Sequence, residues 1–122
     1  MSFFTRLVLS APFVLILVQY VSYAYSVVGH AEVDSFWQNH ALRESLFAAA
    51  VAAVSLNLIW STKVTQGKLV LVAALGAPLI LGFWIATLIV GFGDVTAYRP
   101  TYIFHLAQLV LFIIGFLMVA TR

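Results

Sequence analysis

Apolar residues fill four stretches of this chain, and each stretch is about as long as a bilayer is thick. They cover residues 7–28, 41–60, 69–92 and 101–120, and short polar breaks separate them. A hydrocarbon core about 30 Å thick needs roughly 20 apolar residues of helix. The pattern therefore predicts one all-α integral membrane domain over residues 1–122, a four-helix transmembrane bundle with short loops.

The composition agrees with a lipid environment and excludes several classes of protein. Hydrophobic residues make up 64% of the chain and charged residues 8%, against about half and a quarter in soluble domains. So few charges cannot cover the surface of a water-soluble enzyme of this size. The six Lys and Arg residues are scattered, which excludes nucleic acid as a partner. Cysteine is absent, which excludes disulfides and thiolate metal sites.

The first apolar stretch has some features of a secretory signal. Arg6 precedes it, and residues 22–24 form a small-x-small triplet that is typical of cleavage sites. Apolar residues nevertheless continue to Val28. We therefore interpret the stretch as a retained helix.

The distribution of Lys and Arg predicts the orientation. Four spans place Arg6, Lys63, Lys68 and Arg122 on one side and Arg43 and Arg99 on the other. The side with more cations normally faces the cytoplasm, so we expect both termini inside. The short loops and the absence of cysteine are typical of a multi-pass protein of a bacterial inner membrane.

The other ionisable groups are gathered at the opposite, non-cytoplasmic end. This set comprises all four acids and all three histidines: Glu32, Asp34, Glu44, Asp94, His30, His40 and His105. Any proton or metal chemistry is therefore expected at that end.

Small residues recur at a spacing of four in two of the spans. The second span has Ser45, Ala49, Ala53 and Asn57, and the third has Ala74, Pro78, Gly82 and Ala86. Small residues let membrane helices approach closely. We expect these ridges to pack against each other or against the first helix, or alternatively to drive self-association.

Polar residues also form one stripe on the first helix and one on the fourth. The stripes are Gln19, Ser22, Tyr23 and Ser26, and Thr101, His105 and Gln108. Polar groups facing lipid are costly, so both stripes are expected to point inward and to line a polar pocket open at the outer face. Gln19, Tyr23, Arg99 and Gln108 are the candidate ligand-binding residues.

Charged residues near the start of the second helix are the candidates for catalysis. The apolar run 46–60 is too short to cross alone, which places Arg43 and Glu44 in the first turn of a helix that begins near residue 41. Asp94 and Arg99 are the available partners. The structural alternative is a snorkelling arginine beside a glutamate favoured by the helix dipole.

His40 and Glu44 lie four residues apart and face the same way on a helix, and His105 is expected at a similar depth. Two imidazoles and a carboxylate suit Zn, Fe or Cu, or act as general acid and base on a lipid-soluble substrate. The spacing matches no compact metal motif, so metal and cofactor stay open. The candidate catalytic residues are His40, Arg43, Glu44, Asp94 and His105.

Two functions are consistent with these features of the sequence. The first is a small polytopic membrane protein that acts by helix association, as an accessory or scaffold subunit of a membrane complex or as a homo-oligomer. Its partners are the lipid bilayer and other membrane subunits or further copies of itself. The alternative is a membrane enzyme or binding protein for a lipophilic small molecule, with a polar pocket in the outer leaflet.

Overall fold

We describe the protein from a computed structural model, which covers residues 1–32, 34–90 and 99–121. Four α-helices account for most of these residues, and no strand occurs among them. The helices are α1 (Phe3–Val27), α2 (Ser35–Ile59), α3 (Gln66–Val90) and α4 (Arg99–Ala120). The expectation of an all-α four-helix bundle is confirmed.

The largest difference from the sequence prediction is the start of α2. The helix begins at Ser35 rather than near residue 41. Asp34 causes the early start, because its carboxylate accepts a hydrogen bond from the Phe36 backbone N–H at 2.9 Å and so satisfies an amide of the first turn. Residues 35–39 therefore belong to α2, and the predicted start of this helix near residue 41 was wrong.

Two hydrogen bonds of the Gln38 side chain close the turn between α1 and α2, and we call them the Gln38 clasp. The Gln38 side chain accepts a hydrogen bond from the Gly29 N–H at 3.1 Å and donates one to the His30 carbonyl at 2.7 Å. Gly29 has a φ of 84°, a conformation that glycine adopts without a steric penalty. The chain thus reverses direction within a few residues, and α1 and α2 are antiparallel neighbours.

The other end of this helix pair is joined through Trp60, the residue that follows α2. Its indole Nε1 donates a hydrogen bond to the Ser10 hydroxyl at 2.7 Å, and the Phe3 ring packs edge-on against it with centroids 5.6 Å apart. Trp60 therefore connects α2 to α1 at the end of the bundle that holds the N-terminus.

α1 is the central helix of the bundle, because it packs against α2 on one side and α4 on the other, while α3 packs mainly on α2. The core is a single apolar cluster contributed by the first three helices, with side chains of α4 packed against it. Its buried members are Leu9, Phe13, Ile16, Ala48, Ala52, Ile59, Val72 and Ile80.

Two glycines allow the helices to approach. A Cβ atom on Gly76 of α3 would lie 2.8 Å from the Phe112 ring and 2.9 Å from the Phe13 ring. A Cβ atom on Gly115 of α4 would lie 2.9 Å from the Leu9 side chain and 3.3 Å from its Cα. At both positions a side chain larger than hydrogen would overlap the neighbouring helix.

The ridges themselves do not face the bundle as expected. On α2, Ser45 is buried but Ala53 and Asn57 are exposed, and on α3 both Ala74 and Pro78 are exposed. The buried stripe of α2 alternates spacings of four and three, and its members are Ala41, Ser45, Ala48, Ala52, Ser55 and Ile59. Internal packing by the ridges is therefore contradicted at these four exposed positions, whereas Ala49 and Gly82 are half-buried and the side chain of Ala86 lies outside the described part of the chain.

The helices are those of a multi-pass membrane protein. Within the described residues three helical segments are long and apolar enough to cross a bilayer: Phe3–Val27, Gln38–Ile59 and Ile103–Ala120. α3 contributes a shorter apolar segment, Gln66–Gly82. The chain is thus a small polytopic membrane protein.

We expect Gly76→Ala to lower the free energy of unfolding by about 1–3 kcal/mol, because the new methyl group overlaps two ring edges in a packed core. Gly82→Ala is the matched control in the same helix, since no atom lies within 4 Å of its Cβ position, and it should be neutral or raise stability by up to about 1 kcal/mol. Equilibrium unfolding in mixed micelles measures both. Equal effects of the two substitutions would contradict the close approach at Gly76.

Candidate functional site

A chain of three polar side chains joins α1 to α4 inside the bundle. The Gln108 amide Nε2 donates to the Gln19 Oε1 at 2.6 Å, and the Gln19 Nε2 lies 2.8 Å from the His105 Nε2. His105 is 5% exposed and Gln108 is 1% exposed. The sequence expectation that these three polar groups point inward is confirmed. Ser22 and Ser26 of the same predicted stripe on α1 are instead exposed, so for them the expectation was wrong.

The direction of these hydrogen bonds determines the tautomer of the histidine. The carbonyl oxygen of Gln19 already accepts from Gln108, so the amide nitrogen of Gln19 is the group that faces the His105 ring, and it can only donate. The Nε2 atom of His105 is therefore the acceptor. It follows that the ring is neutral in this arrangement and carries its proton on Nδ1.

The polar chain lies below the membrane surface. Gln19 is eight residues from the end of α1 at Val27, which is about 12 Å at 1.5 Å per residue. His105 and Gln108 are six and nine residues from the start of α4 at Arg99, or about 9 and 14 Å. All three side chains thus occupy one level, about a third of the way through the bundle from the α1–α2 turn.

A second polar group lies between α1 and α2 at the same end of the bundle. His40 Nε2 and Glu44 Oε2 are 3.1 Å apart, and the Tyr20 hydroxyl of α1 lies near the Glu44 carboxylate. The side chains of His40 and Glu44 are 52% and 41% exposed. This pair is therefore at the rim of the bundle rather than in its interior.

The early start of α2 changes the position of Arg43 and Glu44. Both residues lie in the third turn of the helix, and not in its first turn as the sequence suggested. Glu44 turns toward α1, whereas Arg43 is exposed on the face away from the bundle. The expected partners Asp94 and the side chain of Arg99 lie outside the described part of the chain.

The structure does not bring His40, Glu44 and His105 together as metal ligands. The described residues contain no group of three His, Asp or Glu side chains that could hold a metal ion. The reason is geometric, because Glu44 faces Tyr20 on one side of α1 and His105 faces Gln19 on the other.

An open groove of about 520 Å³ lies beside the α1–α2 turn. It is lined by Ala24, Tyr25, Val28, Gly29, His30 and Leu42. His30 is held there by contacts of its ring with the Glu32 carboxylate and the Tyr25 carbonyl, both at 3.2 Å. None of the predicted site residues within the described part of the chain lines this groove.

The predicted site residues thus separate into distinct environments. Gln19, His105 and Gln108 form the buried chain, while His40 and Glu44 form the rim pair. Tyr23 packs its ring edge-on against Tyr20 with centroids 6.4 Å apart and is 36% exposed.

Sequence reasoning missed two residues, Tyr20 and Gln38. Tyr20 follows Gln19 directly, and the pattern of spacings around Gln19 gave no reason to prefer it to Tyr23. The sequence pattern places Gln38 in a loop, whereas in the structure it lies in the first turn of α2, opposite Gly29. A capping signal at Asp34 was present in the sequence and would have located Gln38 correctly.

Comparison with known protein families, with curated proteins and with solved structures finds no match to this chain.

We expect Gln19→Leu to lower the free energy of unfolding by about 1–3 kcal/mol, because it leaves the buried Gln108 amide without its acceptor. A double-mutant cycle with Gln108→Leu should give a coupling energy of about 0.5–2 kcal/mol. Ser22→Ala, one turn away on the exposed surface of α1, is the control and should be additive with Gln108→Leu. Additivity of the Gln19 and Gln108 substitutions would show that the chain does not couple the helices.

Proposed function

We propose that the protein acts by helix association in the membrane, as an accessory or scaffold subunit of a larger complex or as a homo-oligomer. One observation carries this proposal. Asn57 and Ala53 are exposed on α2, inside the segment Gln38–Ile59 that can cross a bilayer. The Asn57 amide makes no hydrogen bond within the described part of the chain, so its donors and acceptor are available to a neighbouring helix.

The surface around Asn57 has the shape that helix pairing requires. We call it the outer α2 face, and its exposed members, three or four residues apart, are Arg43, Leu46, Ala50, Ala53 and Asn57. Two alanines at its centre let another backbone approach, and the Asn57 amide, about one turn before Trp60, is able to form a hydrogen bond across helices. The buried polar chain, by contrast, has its bonds inside the protein and offers none to a partner.

The orientation and the membrane are also proposals. The described residues Arg6, Lys63 and Lys68 lie at the end of the bundle that holds the N-terminus, and the positive-inside rule assigns that end to the cytoplasm. Both termini are then cytoplasmic. A bacterial inner membrane fits the short connections and the absence of cysteine.

The second candidate is an enzyme or binding protein for a lipophilic molecule at the outer leaflet. The exposed pair of His40 and Glu44 supports it, since a carboxylate paired with an imidazole can exchange protons with a substrate. Tyr23 and Arg99 remain its candidate ligand-binding residues on α1 and α4. The groove beside Tyr25 gives a lipophilic molecule a place nearby.

We expect Ala53→Leu to disrupt assembly, because the larger side chain separates the backbones that the outer α2 face brings together. Ala53→Ser is the matched control and should assemble normally. The measurement is cross-linking in native membranes followed by mass spectrometry of the complex after gentle purification. Wild-type assembly by Ala53→Leu would count against this face, whereas loss of a co-purifying lipophilic molecule in Glu44→Gln would favour the second candidate.

Replacing Arg43 distinguishes self-association from association with a different protein. Copies of one chain share an orientation in the membrane, so a twofold pair through the outer α2 face places the two Arg43 side chains near each other, where like charges repel. Arg43→Gln should therefore strengthen a homodimer in a membrane FRET assay. It should weaken a complex whose partner helix carries an acid at that depth.

The orientation is testable because the chain has no cysteine of its own. Thr62, in the α2–α3 turn, and Glu32, in the α1–α2 turn, are both exposed and suit replacement by single cysteines. In intact cells or spheroplasts a membrane-impermeant maleimide should label Glu32→Cys and leave Thr62→Cys unlabelled until the membrane is opened. The reverse pattern would place the termini outside.

A further inference from the structure

The end of the bundle that holds the N-terminus carries cations that the protein itself positions. The Arg6 guanidinium carbon lies 6.0 Å from the centroid of the Trp60 ring, within the range of a cation–π contact. Trp60 is in turn fixed by its hydrogen bond to Ser10. Arg6 is therefore held beside the end of α2 and has its guanidinium N–H groups available.

Two lysines lie in the turn that follows Trp60. The Lys68 ammonium donates to the Ser61 hydroxyl at 3.0 Å and to the Lys63 carbonyl at 2.8 Å. An ammonium group has three donors, so one remains. The Lys63 side chain is exposed and makes no ion pair in the described part of the chain. Together Arg6, Trp60, Lys63 and Lys68 form what we call the cationic end.

Among the described residues, the cationic end has no acidic side chain to balance these charges. The described acids Glu32, Asp34 and Glu44 all belong to the opposite end, beyond most of the length of α2. Screening at physiological salt extends over about 8 Å, so those carboxylates do not neutralise it. The cationic end is therefore suited to an anion from outside the chain.

We propose that the cationic end binds the phosphate groups of anionic phospholipids in the leaflet that it faces. Trp60 places these cations at the level of the headgroups, because tryptophan is enriched at that interface. The guanidinium fork of Arg6 matches two phosphate oxygens, and the remaining Lys68 donor and the Lys63 ammonium supply further contacts. The binding depends on neither the proposed helix association nor the identity of a partner.

The test measures which lipids stay with the full-length protein. The protein is released from nanodiscs that contain equal amounts of phosphatidylglycerol and phosphatidylcholine, and native mass spectrometry counts the retained lipids. Wild type should prefer phosphatidylglycerol, and Lys63→Gln and Arg6→Gln should each reduce that preference about fivefold, as expected for one charge near an anionic surface. High salt should weaken the preference.

Arg43→Gln is the matched control, since it removes one exposed cation from the other end of the bundle and should leave the preference unchanged. Lys63→Gln also controls for folding, because its ammonium group forms no bond that the fold requires. A wild-type protein without lipid preference would overturn the proposal. An equal reduction by Arg43→Gln would overturn it as well, since the charge would then act without regard to position.

Discussion

A bilayer offers no water to a polar group that loses its partner, and this constraint makes the Gln108–Gln19–His105 chain central to the protein. Apolar contacts between membrane helices give little preference over contacts with lipid. The helices therefore need either close backbone approach or shared hydrogen bonds to recognise one another. α1 has both, since Gln19 bonds to α4 at one level and Leu9 meets Gly115 at another.

The same constraint explains which polar groups remain at the surface. Glu44 and His40 pair with each other near Tyr20 at the rim, where headgroups and water complete their solvation. Asn57 lies near the other end of α2, three residues before Trp60, and its amide has no hydrogen-bond partner among the described residues. Hydrogen bonding does not reach every buried polar group, because the Ser45 and Ser55 hydroxyls have no partner among the described residues.

Sequence alone was sufficient for the architecture and for the level of the polar residues. Length, apolar composition and the positions of the breaks determine how many helices form, and the depth of Gln19, His105 and Gln108 follows from residue counting. The helices that these side chains contact could not be predicted from the sequence. Only the rotation of α1 decides that Gln19 faces α4 while Tyr20 faces α2, and rotation is a property of packing rather than of spacing.

Helix rotation also explains why the small-residue ridges were misassigned. Four residues advance a helix by about 40° beyond one full turn, so Ser45 and Asn57 point about 120° apart although they belong to one regular series. Packing instead follows alternating steps of four and three, which keep Ala41, Ser45 and Ala48 on one side. The start of α2 differs from the prediction for another reason, because the polar residues after Asp34 resemble a loop although Asp34 caps the helix.

The positions of the interhelical bonds have a consequence for biogenesis. The Gln38 clasp and the Trp60–Ser10 bond lie within the first half of the chain, so α1 and α2 can pair while the ribosome is still making the rest. Gln19 is different, since both residues that satisfy it arrive with the last helix. Until α4 is made, neither His105 nor Gln108 is present to form a hydrogen bond with the Gln19 amide, so this part of the bundle can be completed only at the end of synthesis.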